Sequence, residues 1–128
     1  MSTEHRLETT RVLVVDDDPD IRELMVIALE SEGAAITTAE DGNQAIAALR
    51  SNTFGLVVLD MMLPHRSGFL VMEEIQAMTP PPPVIMVTAN EGRRHKAYAE
   101  SLGVSAYLNK PVPMSLLLDT AVEVLQGG

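Results

Sequence analysis

The sequence predicts an α/β domain in which a five-stranded parallel sheet carries helices on both faces. Two observations predict this class. Short, unbroken runs of β-branched and other apolar residues recur along the chain, which is typical of strands buried on both faces. Amphipathic stretches with apolar residues at helical spacing separate these runs, and such alternation gives a parallel sheet with right-handed crossovers. The chain has 128 residues, the length of one domain.

The first half of the chain shows three strand signals and two helix signals. The predicted elements are a strand at residues 12–15, a helix from residue 20, a weaker strand at 35–39, a helix marked by Ala45, Ile46 and Leu49, and a strand at 56–59. Gly33 ends the first helix, because glycine reaches left-handed backbone angles easily. Asp41 and Gly42 form the turn before the second helix. Residues 1–10 are polar and aperiodic, which predicts a flexible N-terminal tail.

The second half continues the alternation. Its predicted elements are a helix at residues 68–78, a strand at 84–87, a helix at 93–102, a short strand at 106–108 and a last helix at 114–125. The four prolines at 80–83 end the third helix, because proline lacks the backbone N–H and restricts the residue before it. The folded domain is therefore expected to span residues 11–126.

Composition excludes several classes of protein. The chain has no cysteine, so it has neither a disulfide framework nor a thiolate metal site. Its net charge of −9 disfavours direct contact with nucleic acid. No apolar run approaches the roughly 18 residues of a membrane span, and the first eleven residues lack the apolar segment of a signal peptide. A cytoplasmic protein that contacts no membrane is the expectation.

Polar side chains follow four of the five predicted strands. Asp16 and Asp17 follow the first strand, Asp60 the third and Thr88 the fourth, while Lys110 lies just beyond the fifth. Ligands of open parallel sheets bind beyond the carboxyl ends of the strands, so neighbouring first and third strands would bring the three carboxylates together. Close carboxylates repel one another, and an oxygen-only cluster suits Mg²⁺. Together with a lysine and a hydroxyl, this set is equipped to handle a phosphoryl group.

Each of these residues also has a purely structural interpretation. Asp18 followed by Pro19 is a typical helix start, Thr88 is a strand-end hydroxyl, and Lys110 is a surface lysine. A calcium loop is rejected, because Ile21 and Ile27 stand where such a loop needs Gly and Glu. The conjunction of polar residues at four strand ends favours a functional site.

Four stretches resemble the receiver domain of two-component response regulators. They are VLVVDDDPDIRELM, VVLDMMLP, VIMVTAN and AYLNKP, and the resemblance covers residues 11–126. It implies a flavodoxin-like sheet of order 2-1-3-4-5 with five helices. A single-domain regulator and the receiver part of a longer regulator both fit the sequence.

The resemblance implies a chemical role for each matching residue. Asp60 matches the phosphoacceptor, which takes a phosphoryl group from a histidine of a sensor kinase or a histidine phosphotransfer protein. Asp16 and Asp17 match the acids that hold Mg²⁺ with Asp60 and the backbone carbonyl of Met62. Lys110 matches the phosphate-binding lysine, and the peptide bond that follows it is usually cis in this family. The domain would catalyse only its own phosphorylation and slow self-dephosphorylation.

The resemblance also implies a switch. Thr88 matches the hydroxyl that follows the phosphoryl group, and Tyr107 matches the aromatic residue whose rotamer reports phosphorylation. The face formed by the fourth helix, fifth strand and fifth helix would then bind a partner or a second copy in a homodimer. The fourth helix begins with the basic run 93–96, which is either a solvated face or a contact surface. Met62 and Asn90 occupy the two positions that influence hydrolysis of the acyl phosphate.

Four positions depart from the family's pattern. Ser67 replaces a frequent Asp before the third helix, but serine can still cap that helix. His65 and Arg66 make the loop after Asp60 unusually basic, and Val112 stands where Phe is frequent. These changes affect local packing and access to the acyl phosphate, and they leave the acidic residues themselves unchanged.

Two other functions compete with a phosphorylated receiver. A phosphatase of the haloacid dehalogenase type would use Asp16 as its nucleophile and Asp18 as its partner. That family needs a further acidic pair after the lysine, where this chain has only Asp119 and Glu123 within an amphipathic helix. A pseudo-receiver, which serves as an interaction module without phosphorylation, typically lacks one of the acids or the lysine, and this chain keeps them all.

Overall fold

Five strands and five helices alternate along the chain. The computed structural model describes residues 6–65, 67–89 and 93–127. In chain order the elements are β1 (Arg11–Val15), α1 (Pro19–Ser31), β2 (Ala35–Ala39), α2 (Gly42–Ser51), β3 (Leu56–Asp60), α3 (Gly68–Gln76), β4 (Val84–Thr88), α4 (Arg93–Ser101), β5 (Ala106–Asn109) and α5 (Met114–Gly127). All neighbouring strands pair in parallel, in the order β2-β1-β3-β4-β5. The predicted fold class and strand order are confirmed.

The core has two halves, one on each face of the sheet. On one face, alternate residues of β1 and β3 such as Leu13 and Val57 pack with residues of α2, α3 and α4. On the other face, the intervening residues such as Val12 and Val58 pack with α1 and α5. Successive side chains of a strand point to opposite faces, so both sets must be apolar. This explains why the strand runs in the sequence are unbroken.

The first three helices begin at capped N-termini. The carboxylate of Asp18 accepts hydrogen bonds from the backbone N–H groups of Asp20 and Ile21 and caps α1. Asp41 caps α2 in the same way. The predicted substitute cap, Ser67, accepts a hydrogen bond at the start of α3. Side-chain oxygens at this position satisfy N–H groups that lack partners within the helix.

Two helix ends differ from the predicted ones by two residues. Helix α3 ends at Gln76, two residues before the predicted end. The N–H groups of Ala77 and Met78 bond to the carbonyls of Glu74 and Ile75, so the chain tightens into a turn there. Helix α5 instead runs two residues beyond residue 125. None of the helices in the described ranges is long and apolar enough to cross a membrane.

The segment before β1 differs from the predicted flexible tail where the structure describes it. Leu7 is fully buried in the core half beneath α1 and α5, and its N–H donates to the carbonyl of Glu32. The guanidinium of Arg6 contacts the carboxylates of Glu32 and Asp119. One leucine among polar residues gives no periodic signal, which is why the pattern predicted a tail. Residues 1–5 of that predicted tail lie outside the described residues.

Candidate functional site

Three acidic residues meet at the carboxyl ends of β1 and β3. In the parallel register Val15 pairs with Leu59, so Asp16 and Asp60 follow side by side. Asp16, Asp17 and Asp60 each offer a carboxylate oxygen, and these oxygens lie within 4.8 Å of one another. Asp16 and Asp60 are buried, whereas Asp17 is exposed. The sheet order that places β1 beside β3 therefore produces the predicted convergence.

Lys110 inserts its ammonium between the two buried acids. The Nζ atom lies 2.8 Å from Oδ2 of Asp16 and 3.1 Å from Oδ2 of Asp60. The N–H of Lys110 donates to the carbonyl of Thr88 at 2.8 Å, which fixes the backbone from which the side chain extends. The Lys110–Pro111 peptide bond is cis. One ammonium faces three carboxylates, so the cluster keeps a negative excess when all are ionised.

The buried acids use their other oxygens to hold the local backbone. Oδ1 of Asp16 accepts the N–H of Asp18 at 2.9 Å, and Oδ1 of Asp60 accepts the N–H of Met62 at 3.0 Å. The guanidinium of Arg22 donates to the backbone carbonyl of Asp16 at 2.7 Å. The orientation of both carboxylates is therefore set before any ligand arrives.

Burial and charge act in opposite directions on the two central groups. The pKa of Asp60 is raised, mainly by burial and further by the nearby charge of Asp16. The Met62 N–H and the Lys110 ammonium lower this pKa, but they do not offset burial. For Lys110, burial lowers the pKa, but its contacts with Asp16 and Asp60 outweigh burial and the pKa is raised. Lys110 therefore stays charged at neutral pH. The contacts that favour the ionised form of Asp60 therefore do not fully offset the cost of burying its charge.

The donor set fits a hard divalent cation. Its side-chain ligands are carboxylate oxygens, which Mg²⁺ prefers, and the set contains no imidazole or thiolate. Asp17 leaves one side of the cluster open to solvent. Met62 lies next to the cluster with an exposed side chain, and its N–H is already bonded to Asp60. Asp16, Asp17 and Asp60 are the residues that could hold such an ion.

Thr88 and Tyr107 share one face of the sheet. Thr88 is the fully buried last residue of β4, and Met86, two residues earlier, pairs in register with Tyr107 of β5. Residues two apart in a strand point the same way, so the Thr88 hydroxyl and the Tyr107 ring lie on the same side. The ring of Tyr107 is half-buried, and burial raises the pKa of its phenol. Asn90 and Arg66 lie outside the described residues.

Gly68 and Arg22 support the site, although neither was predicted to belong to it. A Cβ atom on Gly68 would lie 2.5 Å from the carbonyl oxygen of Asp60 and 2.7 Å from Cα of Met61. Only glycine lets the first turn of α3 approach the acidic strand end this closely. The sequence indicated Gly68 only as the first residue of the third helix. Nothing in the sequence indicated Arg22, because its hydrogen-bond acceptor is a backbone carbonyl.

Comparison with known proteins identifies the class. The family model for the response regulator receiver domain matches residues 12–122. The chain therefore belongs to the response-regulator receiver-domain family. It is a receiver domain of the kind found in two-component response regulators. Receiver domains are not a known family of catalytic enzymes. The resemblance noted in the sequence is thus confirmed.

Individual relatives agree with this assignment. The chain is 42% identical over 100 residues to the probable transcriptional regulatory protein TcrX of Mycobacterium tuberculosis, covering 78% of this chain and 43% of that protein. It is 33% identical over 115 residues to the transcriptional regulatory protein GlrR of Escherichia coli, covering 90% and 26%. The chain thus spans less than half the length of either relative.

Solved structures share the whole fold. A CheY-like response regulator receiver domain protein from Methanospirillum hungatei matches with a TM-score of 0.88 and 30% identity, covering 92% of this chain and 94% of that one. The chemotaxis response regulator CheY4 of Vibrio cholerae matches with a TM-score of 0.84 and 27% identity, covering 90% and 98%. The likeness therefore extends over at least nine-tenths of this chain.

Proposed function

We propose that this receiver accepts a phosphoryl group on Asp60 from a phosphohistidine of a sensor kinase or a histidine phosphotransfer protein. One observation carries the proposal: the Asp60 carboxylate at the end of β3 lies 3.1 Å from the ammonium of Lys110, with Asp16 and Asp17 beside it. A carboxylate oxygen attacks phosphorus, the P–N bond to the donor imidazole breaks, and the imidazole leaves with the bonding electron pair. The product is an acyl phosphate on Asp60.

Lys110 and Thr88 are the groups that would hold the transferred phosphoryl oxygens. The ammonium already bridges Asp16 and Asp60, so the new negative charge would form within its reach. Fixed positive charge at the place where negative charge accumulates lowers the barrier to transfer. Thr88 lies at the end of the neighbouring strand and supplies a hydroxyl donor.

We assign the Mg²⁺ ligands to Asp16, Asp17, Asp60 and the backbone carbonyl of Met62. When bound, Mg²⁺ would offset negative charge on the transferring phosphoryl group. The support is the negative excess of the cluster, together with the all-oxygen donor set. The buried carboxylates are already oriented by Asp18 and Met62, so only the exposed Asp17 has freedom to adjust.

Phosphorylation would act on the face formed by α4, β5 and α5 through Thr88 and Tyr107. Helix α4 is weakly attached, since Ala99 is its one buried residue. The rings of His95 and Tyr98 contact Phe69 of α3, and the Tyr98 hydroxyl donates a long hydrogen bond of 3.4 Å to Glu73. A helix held by so few contacts can shift at small cost. Thr88 and Tyr107 lie on the strands next to it.

The charge of α4 supports a role as a contact surface. Arg93, Arg94 and Lys96 are exposed and form no ion pair with any described residue. By contrast, the described arginines and lysines that pair with carboxylates elsewhere are Arg6, Arg22, Arg50 and Lys110. Unpaired cations on a domain of net charge −9 favour an acidic protein surface, on a partner or on a second copy in a homodimer. In a longer regulator, contact with DNA would fall to another domain.

Met62 would set how long the signal lasts. Its side chain is 59% exposed beside Asp60, and a thioether is only a weak hydrogen-bond acceptor. It cannot orient an attacking water strongly, but it can cover the acyl phosphate. We therefore propose slow self-dephosphorylation, the one reaction besides its own phosphorylation that the domain would catalyse.

The proposal is tested by incubating the protein with a small-molecule phosphodonor and Mg²⁺. The protein should gain one acid-stable, alkali-labile phosphate, and Asp60→Asn should gain none, because an amide is a poor nucleophile. Asp20→Asn, a neutralised exposed acid outside the cluster, is the control and should label like the wild type. Persistent labelling of Asp60→Asn would place the nucleophile elsewhere.

A further inference from the structure

The peptide unit between Asp16 and Asp17 is held by the side chain of Arg22. The guanidinium reaches back from the first turn of α1, and its Nη1 atom donates to the carbonyl oxygen of Asp16 at 2.7 Å. The Arg22 side chain is only 17% exposed, and hydrogen bonds from a charged donor are stronger than neutral ones. Because a peptide unit is planar, holding its carbonyl also sets the direction in which the Asp17 side chain leaves the backbone.

The peptide units on either side are held by different contacts. The N–H of Asp16 donates to the carbonyl of Ala39 at 3.2 Å, which fixes the peptide before Asp16. The N–H of Asp18 donates to Oδ1 of Asp16 at 2.9 Å, which fixes the peptide after Asp17. Among the described residues, Arg22 is the donor to the carbonyl that lies between them. Arg22 therefore completes the anchoring of this turn rather than duplicating it.

Asp17 is the acid of the cluster that depends most on this anchoring. The buried carboxylates of Asp16 and Asp60 are held directly by Lys110 and by backbone N–H groups. Asp17 is exposed, yet its carboxylate belongs to the group of oxygens that lie within 4.8 Å of one another. Its position relative to the other two acids is therefore set mainly by the backbone that carries it.

A second contact orients the guanidinium of Arg22. Its Nη2 atom lies 3.8 Å from Oε2 of Glu40, which directly follows β2. Strand β2 pairs in parallel with β1, so the turns after the two strands lie side by side. The N–H of Glu40 donates to the side-chain oxygen of Gln44 at 2.9 Å, which holds the backbone of Glu40. Arg22 thus spans the turns that follow β1 and β2.

We infer that Arg22 is a positioning residue that fixes the Asp16–Asp17 peptide and so places the Asp17 carboxylate to bind a divalent cation. This inference rests on the proposed function, in which Asp17 is a Mg²⁺ ligand. Contacts that orient metal ligands from outside contribute roughly 10- to 100-fold to metal affinity. Charge acts in the opposite direction, because the guanidinium is itself a cation beside a cation site. Positioning and charge therefore predict opposite signs for the effect of removing Arg22.

The test measures Mg²⁺ affinity by calorimetric titration of the wild type, Arg22→Met, Arg22→Gln and Arg22→Lys. Methionine and glutamine have a helix propensity similar to that of arginine, and both are neutral. Both neutral variants should bind Mg²⁺ about tenfold more weakly than the wild type. Arg22→Lys keeps the charge but lacks the planar fork of the guanidinium, so its affinity should be intermediate.

A matched control removes the same charge far from the acids. Arg50 lies in the last turn of α2 and pairs with Glu74 of α3. Arg50→Met should bind Mg²⁺ like the wild type. Equal or tighter Mg²⁺ binding in the Arg22→Met and Arg22→Gln variants would overturn the inference, because it would leave only the charge effect. If one of these two variants fails to fold, the other decides.

Phosphorylation by the small donor separates positioning of the metal ligand from general damage to the site. In Arg22→Met the Mg²⁺ concentration for half-maximal labelling should rise about tenfold. The labelling rate at saturating Mg²⁺ should match that of the wild type, because Asp60, Lys110 and Thr88 are unchanged. A lower rate at saturating Mg²⁺ with an unchanged half-maximal concentration would overturn the inference.

Amide hydrogen exchange at Asp18 in the metal-free protein distinguishes this inference from the proposed function. The N–H of Asp18 is bonded to Asp16, so its exchange reports how firmly the turn is held. Faster exchange in Arg22→Met than in the wild type supports the positioning role. If the wild type binds Mg²⁺ but Arg22→Met matches it in both exchange and affinity, the positioning role fails alone. If the wild type binds no Mg²⁺, the proposed metal site fails, while the exchange data still decide whether Arg22 holds the turn.

Discussion

The ammonium of Lys110 lies 3.1 Å from the carboxylate of Asp60, although 50 positions separate the two residues in the chain. The contact crosses the intervening strand β4, because β3 and β5 both end at the same edge of the sheet. The same ammonium contacts Asp16 at 2.8 Å. A single ammonium from the end of β5 thus contacts acids at the ends of β1 and β3. Any new charge on Asp60 therefore changes the electrostatic environment of Lys110.

Mg²⁺ should raise the unfolding temperature of the wild type, because an ion that binds only the folded state stabilises it by about 2.7 kcal/mol at a concentration of 100 Kd. Asp17→Ala should remove most of this response. Asp17 is exposed, so the substitution itself should change the metal-free stability by no more than about 0.5 kcal/mol. Thermal unfolding with and without Mg²⁺ measures both effects. Asp20→Ala is the matched control, and a full Mg²⁺ response in Asp17→Ala would exclude Asp17 as a ligand.

Asp60→Asn should stabilise the metal-free protein at neutral pH. The pKa of Asp60 is raised mainly by burial, so the folded state favours the protonated acid. Its stabilising contribution is present below the ordinary pKa of aspartate and is lost as the pH rises through the folded-state value. The advantage of the variant should therefore shrink as the pH is lowered toward 4. Chemical unfolding curves at several pH values test this, and an advantage that grows on acidification would contradict it.

Met62→Asn should accelerate loss of the phosphoryl group, because an amide can orient the attacking water whereas a thioether cannot. Mg²⁺ affinity should change little, since the proposed ligand is the backbone carbonyl. The decay of labelled protein after removal of the donor gives the rate. Leu24→Asn introduces the same side chain at an exposed residue of α1, 55% exposed against 59% for Met62, and should decay like the wild type. Identical decay in both variants would show that Met62 does not control the lifetime.

Reversing two charges on α4, Arg93→Glu with Lys96→Glu, should leave labelling by the small donor intact. It should weaken self-association or partner binding of the phosphorylated protein, and the wild-type association should weaken with added salt, because the contact is between charged surfaces. Sedimentation of the labelled protein at low and high salt measures self-association. Unchanged association of the double variant with itself and with a cognate kinase or output partner would mean that α4 is a solvated face.

The acidic cluster was predictable because it follows from sheet topology. Once the strand runs are recognised, parallel pairing of β1 with β3 brings Asp16 and Asp60 to one edge, whatever the loops do. Contacts between irregular segments were not predictable. Leu7 fills the core from a polar segment, and His65 reaches Asp41 from a loop with no periodic pattern. Such contacts depend on the path of the chain in three dimensions, which local residue patterns do not encode.

Locating the phosphorylated residue decides whether Asp60 is the phosphoacceptor. Borohydride reduces an aspartyl phosphate to homoserine, and peptide mass spectrometry of the reduced, labelled wild type identifies the position. We expect a single modified position, residue 60, with Asp16 and Asp17 unmodified. Modification at Asp16 would indicate the chemistry of a haloacid dehalogenase-type phosphatase and would contradict the assignment of Asp60 as the phosphoacceptor. A protein that gains no phosphate from any donor, with Mg²⁺ present and its fold intact, would contradict it as well and indicate a pseudo-receiver.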